Sequence, residues 1–269
     1  MISGLVISVG VLIIMYKFQR EVREGYYYAG RQAAPITSKV IRTPQVYKDI
    51  LQKYFGYYQR LSPQNQNKFA QKVARFIYGK RFVPRGVDEV TIEARVLIAA
   101  SAVQLTFGLP NIYLAHFRKI LVYPNDYYSS ITKRRHKGEV NPMFGIIVLS
   151  WQSFVDGYIN PNDSRNLGLH EMAHALRLEN VIRNEEYHFF DETLLEQLDM
   201  FAKDYCNGKI TQGADFFREY ACANVHEFFA VAVENFFERS VDFKKEFPQL
   251  YNVLVRLLNQ DPIQITKSV

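Results

Sequence analysis

The stretch NLGLHEMAHAL, residues 166–176, decides how the rest of the chain is interpreted. It contains an H-E-x-x-H motif made by His170, Glu171 and His174. Residues at positions i and i+4 of an α-helix lie on one face, so the two imidazoles are able to bind one zinc ion. Glu171 then lies beside the metal, where its carboxylate takes a proton from a metal-activated water. The apolar residues around the motif predict that this helix is buried.

A catalytic zinc site needs a third protein ligand and leaves its fourth position to water. The metzincin arrangement is excluded, because Asn180 stands where its third histidine would be and Arg177 where its glycine would be. The ligand is therefore expected to be a carboxylate from a later helix, and the candidates are Glu192, Glu196, Glu227 and Glu234. Glu227 opens an otherwise apolar segment, where an unpaired carboxylate is costly to bury. The alternative is a glutamate that the dipole at the helix start favours.

The composition is that of a globular protein. The chain has 269 residues, of which 48% are apolar and 22% charged, which excludes a disordered chain, a collagen-like fibre and a polytopic membrane protein. Residues 1–140 have 22 basic and 8 acidic residues, but the only dense basic run is 133–137. We interpret that run as a solvated loop and expect no nucleic-acid partner. Cys206 and Cys222 are the only cysteines, and we expect both to be reduced.

The amino terminus predicts a membrane anchor. Residues 1–16 carry no charge and are followed by Lys17, Arg20 and Arg23. By the positive-inside rule a single short span would leave the rest of the chain in the cytoplasm. The alternative is an apolar helix packed on the domain. The predicted organisation is an anchor helix at 1–19, a tether at 20–45 and one domain at 46–269.

Hydrophobic patterning of the domain predicts an α+β fold that is mainly helical, with a small sheet. We expect helices at 63–79 and 93–107, strands at 120–123 and 145–150, and helices after residue 163. The intervening segments 124–144 and 152–166 are predicted to be loops around the cleft, and nothing in them indicates a preferred substrate side chain.

Together these segments resemble the Mlc titration factor A family of zinc peptidases, whose catalytic half is similar to that of anthrax lethal factor. The resemblance is carried by GIIVLSW (145–151), by NLGLHEMAH (166–174), and by Tyr220 with EFFAVAVENFF starting seven residues later. It implies a zincin-like metallopeptidase domain that binds one Zn2+ and acts on a peptide or protein. It also implies an alternative, a weakly catalytic or non-catalytic zinc protein that binds and sequesters a transcriptional regulator.

The resemblance also implies roles for individual residues. His170 and His174 match the histidine ligands, Glu171 the general base and Glu227 the third ligand, while Tyr220 matches a tyrosine that faces the metal and is able to hold the oxyanion. His136 is the nearest counterpart of a further histidine that approaches the zinc in the family. Apart from the resemblance, Glu234 lies two turns after Glu227 on the same helix face, where it is expected to support a histidine ligand.

Overall fold

The structure, a computed structural model, describes residues 41–129 and 133–265, in which a mainly helical first part is followed by a group of short strands and then by helices. The helices are α1 (Gln45–Tyr54), α2 (Gly56–Gln59), α3 (Pro63–Gly79), α4 (Ile92–Thr106), α5 (Trp151–Ile159), α6 (Leu167–Val181), α7 (Glu192–Cys206), α8 (Val225–Glu238), α9 (Ser240–Glu246), α10 (Pro248–Leu258) and α11 (Pro262–Ile265). A 3-10 helix covers Glu219–Ala223. The strands are β1 (Arg81–Pro84), β2 (Lys119–Tyr123), β3 (Tyr127–Ser129), β4 (Arg134–His136), β5 (Gly138–Asn141) and β6 (Ile146–Ser150).

The main sheet has four strands in the order β1-β2-β6-β5. The first three are parallel, and β5 runs antiparallel to β6 at the edge. Most apolar residues of β2 and β6 are buried, with Ile120 paired to Ile147, as expected for parallel strands covered by helices. The remaining two strands, β3 and β4, form a separate antiparallel pair.

Several sequence predictions are confirmed by these elements. The two apolar runs form β2 and β6, and Ser62 caps α3 by accepting a hydrogen bond from the backbone N–H of Asn65. The predicted buried helix is α4, which packs against α3 on one part of its surface and against α6 on another. The mainly helical α+β class with a small sheet is therefore confirmed.

The predictions of loops at 124–144 and 152–166 are wrong, because the second segment contains most of α5 and the first contains β3, β4 and β5. These strands have three or four residues each and carry Tyr, Arg, His and Glu, so the apolar alternation that identifies longer strands is missing. Their stability comes from pairing with partners that pattern analysis of a single stretch does not reveal.

The prediction of two reduced cysteines is also wrong. Cys206 at the end of α7 and Cys222 in the 3-10 helix form a disulfide, with their Cα atoms 5.4 Å apart. Their separation of 16 residues gave no sign of this, because only the packing of the segment after α7 brings them together. The bond is typical of an oxidising compartment, unlike the cytoplasmic location that the charge pattern predicted.

The predicted anchor (1–19) and nearly all of the tether (20–45) lie outside the described residues. Among the helices that the structure describes, none has the length and apolar character that crossing a bilayer requires. The anchor, the cytoplasmic location and the domain boundary at residue 46 stay predictions.

Candidate metal centre

The helix α6 presents the H-E-x-x-H motif, and its position is fixed at its start. The side chain of Asn166 caps it by accepting a hydrogen bond from the backbone N–H of Leu169. A Cβ atom added to Gly168 would lie 2.6 Å from the Phe154 ring and 2.8 Å from the Ser101 hydroxyl oxygen. Only glycine therefore lets the first turn of α6 approach α5 and α4 so closely.

The helix α6 continues past His174 as far as Val181. In a metzincin the chain would turn before that point, at the glycine whose position Arg177 takes here. Arg177 fixes this region by donating to both carboxylate oxygens of Asp199 on α7, at 2.7 and 2.6 Å. Its guanidinium also lies over the Phe229 ring of α8, 5.6 Å from the centroid. Asn180 is buried and accepts a hydrogen bond from the backbone N–H of Phe190, so it is occupied by a structural contact.

The helix α8 brings Glu227 to the two histidines. Asn224 caps this helix by accepting from the backbone N–H groups of His226 and Glu227. The Glu227 Oε2 atom lies 3.2 Å from Nε2 of His170 and 3.2 Å from Nε2 of His174. The two Nε2 atoms are themselves 3.1 Å apart. Among the described residues these three are the set whose donor atoms converge closely enough to hold a metal ion.

The donor atoms fit a divalent metal. Two imidazole nitrogens and one carboxylate oxygen form the His2Glu set of catalytic zinc sites, and ligands about 2.0–2.1 Å from a tetrahedral ion lie roughly 3.3–3.4 Å apart. The observed triangle, with sides of 3.1–3.2 Å, is close to that spacing. The Glu227 Oε2 atom is buried and has no hydrogen-bond donor of acceptable geometry in the protein. A buried carboxylate oxygen without a donor is costly, and a cation at this point would satisfy it.

The charges of the site favour an ionised Glu227 beside basic imidazoles. Burial alone would raise the pKa of the Glu227 carboxyl, but contacts with His170 and His174 outweigh burial and hold that pKa well below its ordinary value. Burial likewise lowers the pKa of His170, but the carboxylates of Glu227 and Glu234 outweigh it and raise that pKa to about 10 in the metal-free protein. A metal ion that binds here therefore displaces a proton from His170.

Glu171 lies beside the triad and is buried against the edge strand β5. Burial raises the pKa of its carboxyl, and the neighbouring imidazoles lower it only in part. Raised basicity next to a metal site is what a general base requires. A Cβ atom added to Gly138 of β5 would lie 2.5 Å from the Glu171 Oε1 atom. Glycine at 138 is therefore needed for the Glu171 carboxyl to keep its position.

For the peptidase that the resemblance implies, we expect Gly138→Ala to reduce peptide hydrolysis, because the added methyl group displaces the Glu171 carboxyl. A misplacement of about 1 Å costs roughly 10²-fold in rate. Zinc content should stay at the wild-type level, since the three donor atoms are untouched. Kinetics and metal analysis of the same preparation check this, with Gly208→Ala as control, where the added methyl group meets nothing within 4 Å. Because Gly208 has φ +71°, thermal denaturation must accompany that control.

Tyr220 lies in the 3-10 helix that precedes α8. Its ring centroid is 6.3 Å from that of His170, and 54% of the residue is exposed. Partial burial and the nearby Glu227 carboxylate raise the pKa of Tyr220 above its ordinary value. The phenol therefore keeps its proton at neutral pH and is available as a hydrogen-bond donor at the open side of the site.

The remaining sequence candidates lie in different places. The Glu234 carboxylate contacts the far side of His170, with Oε1 2.6 Å from Nδ1. His136 lies in β4, its ring 6.1 Å from that of Tyr127, and it does not belong to the converging donor set of the described residues. Glu192 and Glu196 are exposed on α7, where Glu192 lies 3.6 Å from Nδ1 of His188. Neither of these two glutamates is brought to the histidines.

Two residues at the site had not been predicted from the sequence. Gly138 directly follows the basic run, and a glycine between polar residues gives no local sign of a close approach to a distant helix. Arg218 binds Glu234 and lies two residues before Tyr220. The sequence contains one signal for Arg218, which is its position close to the matched tyrosine. Several other arginines of the chain are equally isolated, so this position alone does not single Arg218 out.

Comparison with known proteins agrees with a metallopeptidase-like fold. A family model described as glucose-regulated metallo-peptidase M90 matches residues 30–258. The chain belongs to this family.

Similar proteins include two called Mlc titration factor A. That of Klebsiella pneumoniae is 26% identical over 231 residues, which cover 76% of this chain and 82% of the relative. That of Pectobacterium atrosepticum is 24% identical over 238 residues, covering 77% and 84%. The uncharacterized protein slr2042 of Synechocystis is 26% identical over 239 residues, covering 82% and 86%. The resemblance on which the sequence analysis relied is thereby confirmed.

Proposed function

We propose that this protein is a zinc-dependent peptidase that hydrolyses peptide bonds. The observation that carries the proposal is the convergence of His170, His174 and Glu227 on one point, with the buried carboxyl of Glu171 beside them. Two imidazoles and one carboxylate are the ligand set of catalytic zinc sites, which keep one position open. The half-exposed Tyr220 on one side agrees with a site that admits a substrate.

The residues around the triad have separate tasks in this proposal. A bound zinc ion would supply Lewis acidity, polarising the substrate carbonyl and making a water molecule more acidic. Glu171 accepts the proton of that water and later delivers it to the leaving amine. The protonated phenol of Tyr220 donates a hydrogen bond to the oxygen on which negative charge develops. Glu234 holds His170 from behind through Nδ1.

The edge strand β5 supports an extended peptide as the substrate. Its inner edge pairs with β6, and it pairs with no second strand among the described residues. Gly138 in this strand contacts Glu171, so a chain added along the outer edge would pass beside the general base. Addition of a peptide strand to a sheet edge uses main-chain hydrogen bonds and is therefore tolerant of side-chain sequence.

A second candidate function comes from the relatives. Two of them are called Mlc titration factor A, a name that describes the binding of a regulatory protein. A chain of this family is therefore a candidate to bind a regulator, with the metal site serving structure. A closed structural zinc site would need a fourth protein ligand, and among the described residues three donors converge.

The test is hydrolysis of a peptide mixture by the full-length protein, before and after removal of metal by a chelator. We expect cleavage that the chelator abolishes and that one equivalent of zinc per chain restores. Mass spectrometry of the products identifies the bonds that are cut. Absence of cleavage by a zinc-loaded, folded protein across varied peptides would contradict the peptidase and favour the regulator-binding alternative.

We expect Tyr220→Phe to lower kcat by about 10²-fold with little change in KM. The variant removes only the hydroxyl, and loss of one oxyanion donor costs roughly 10²–10³ in kcat. Steady-state kinetics on a peptide identified above checks this. Tyr128→Phe is the matched control, because Tyr128 is also an exposed tyrosine and lies in β3. Equal kcat values for wild type and Tyr220→Phe would remove Tyr220 from the mechanism.

A further inference from the structure

Arg218 holds Glu234 with a two-pronged contact. Its Nη2 atom donates to Glu234 Oε1 at 2.6 Å and its Nη1 atom donates to Oε2 at 3.0 Å. Nη1 also donates to the backbone carbonyl of Ser164, just before α6 begins. The guanidinium is therefore fixed between the segment before α6 and the middle of α8. Such a two-pronged contact, a fork, fixes the plane of the Glu234 carboxylate as well as its distance from the guanidinium.

The carboxylate of Glu234 is the link between Arg218 and the metal site. It is 1% exposed, and its other contacts are Nδ1 of His170 at 2.6 Å and the backbone N–H of Asn166 at 2.8 Å. Each carboxylate oxygen of Glu234 therefore accepts from two donors, one of them on Arg218. Because His170 donates through Nδ1 to Glu234, Nε2 is the nitrogen that faces Glu227 and His174 and is left to bind a metal. A carboxylate behind a histidine in this way fixes the ring and makes it a better ligand.

A carboxylate this deeply buried does not hold its charge alone. Removal of the partner of a buried charge is strongly unfavourable, and the group then changes its protonation or its position. Arg218 contacts Glu234 with a permanent positive charge, and 27% of its own side chain is exposed. Its Nη2 atom is 3.3 Å from Nδ1 of His170, because both nitrogens contact the same oxygen, Oε1. Since Nδ1 donates to Glu234, it does not accept a hydrogen bond from Arg218, and Arg218 acts on the ligand histidine through Glu234.

We infer that Arg218 is a positioning residue for the metal site, which orients His170 through Glu234 and so sets the affinity for the metal. The inference rests on the proposed metal site and extends it to a residue outside the ligand set. It predicts that the effects of Arg218 and Glu234 are coupled, because one acts through the other.

The test measures the dissociation constant for zinc in the full-length protein by competition with a chelator, with no substrate present. We expect Arg218→Ala and Glu234→Gln each to weaken zinc binding by about 10–100-fold, the range for residues behind a ligand. The double variant should bind zinc no more than about threefold more weakly than the worse single variant. Arg256→Ala, which removes an exposed arginine of α10, is the control and should match wild type.

Two further measurements separate positioning from a general loss of stability. Arg218→Lys keeps the charge without the fork, so we expect a zinc affinity between those of wild type and Arg218→Ala. With cobalt in place of zinc, Arg218→Ala and Glu234→Gln should alter the visible absorption bands of the bound metal, while Arg256→Ala should not. Any one of three outcomes would overturn the inference. The first is wild-type zinc affinity in Arg218→Ala, and the second is losses of affinity that multiply in the double variant. The third is an equal loss of affinity in folded Arg218→Lys and Arg218→Ala. Because no peptide is involved, these outcomes do not depend on the peptidase activity.

Discussion

Glu171→Gln should abolish peptide hydrolysis while the protein keeps its zinc. The amide has the size and hydrogen-bonding reach of the carboxyl but does not accept a proton, and a general base contributes about 10²–10⁴-fold to the rate. The variant leaves the donor triangle of His170, His174 and Glu227 intact. We therefore expect kcat to fall by a factor in this range, or below detection, with one zinc per chain in both proteins.

The matched control for this substitution is Glu192→Gln. Glu192 was one of the four candidates for the third ligand on sequence alone, yet its side chain is 73% exposed on α7. It should change neither kcat nor zinc content. Metal analysis and steady-state kinetics on one preparation of each protein give both quantities. If Glu171→Gln and wild type turn over peptide equally, the assigned mechanism fails; if neither holds zinc, the metal site itself fails.

Glu227→Ala should remove the metal. The site then keeps two imidazoles and loses the oxygen that lies 3.2 Å from both of them. The loss of affinity should exceed the about 10–100-fold that residues behind a ligand contribute. Hydrolysis should disappear with the metal.

Thermal denaturation with and without excess zinc measures the loss of zinc affinity in Glu227→Ala independently of peptidase activity. A ligand at 100 times its dissociation constant stabilises the folded state by about 2.7 kcal/mol, so zinc should raise the melting temperature of wild type. It should leave Glu227→Ala nearly unchanged. Glu196→Ala, an exposed glutamate of α7, should respond as wild type does. A zinc response of wild-type size in Glu227→Ala would show that another residue completes the site.

The parts of the site that are local in sequence could be predicted. His170 and His174 are one helical turn apart, so a single helix places them together and no knowledge of the fold is needed. The strands β2 and β6 were recognisable for the same reason, since each is a continuous apolar run. Residue spacing and hydrophobicity within one segment are therefore sufficient to predict the histidine pair and these two strands.

The parts that depend on packing between elements could not be derived in this way. From the residues alone Glu227 was one of four candidates, favoured by its apolar surroundings, and the packing of α8 along α6 is what brings it to the histidines while the glutamates of α7 stay exposed. Gly138 meets Glu171 through the pairing of β5 with β6, and β5 was hidden in a polar stretch. Arg218 meets Glu234 because the segment before α8 folds back over it. In each case the partner is distant in sequence.

The Cys206–Cys222 disulfide has a consequence for how a substrate meets the site. It closes a loop that contains Arg218 and Tyr220, so the conformational freedom of this loop is reduced even in the unfolded chain. Part of the entropy of ordering the loop is therefore lost when the sulfurs join, before a peptide arrives. The phenol and the guanidinium are held ready in advance, and the free energy of substrate binding remains available to favour the reacting geometry.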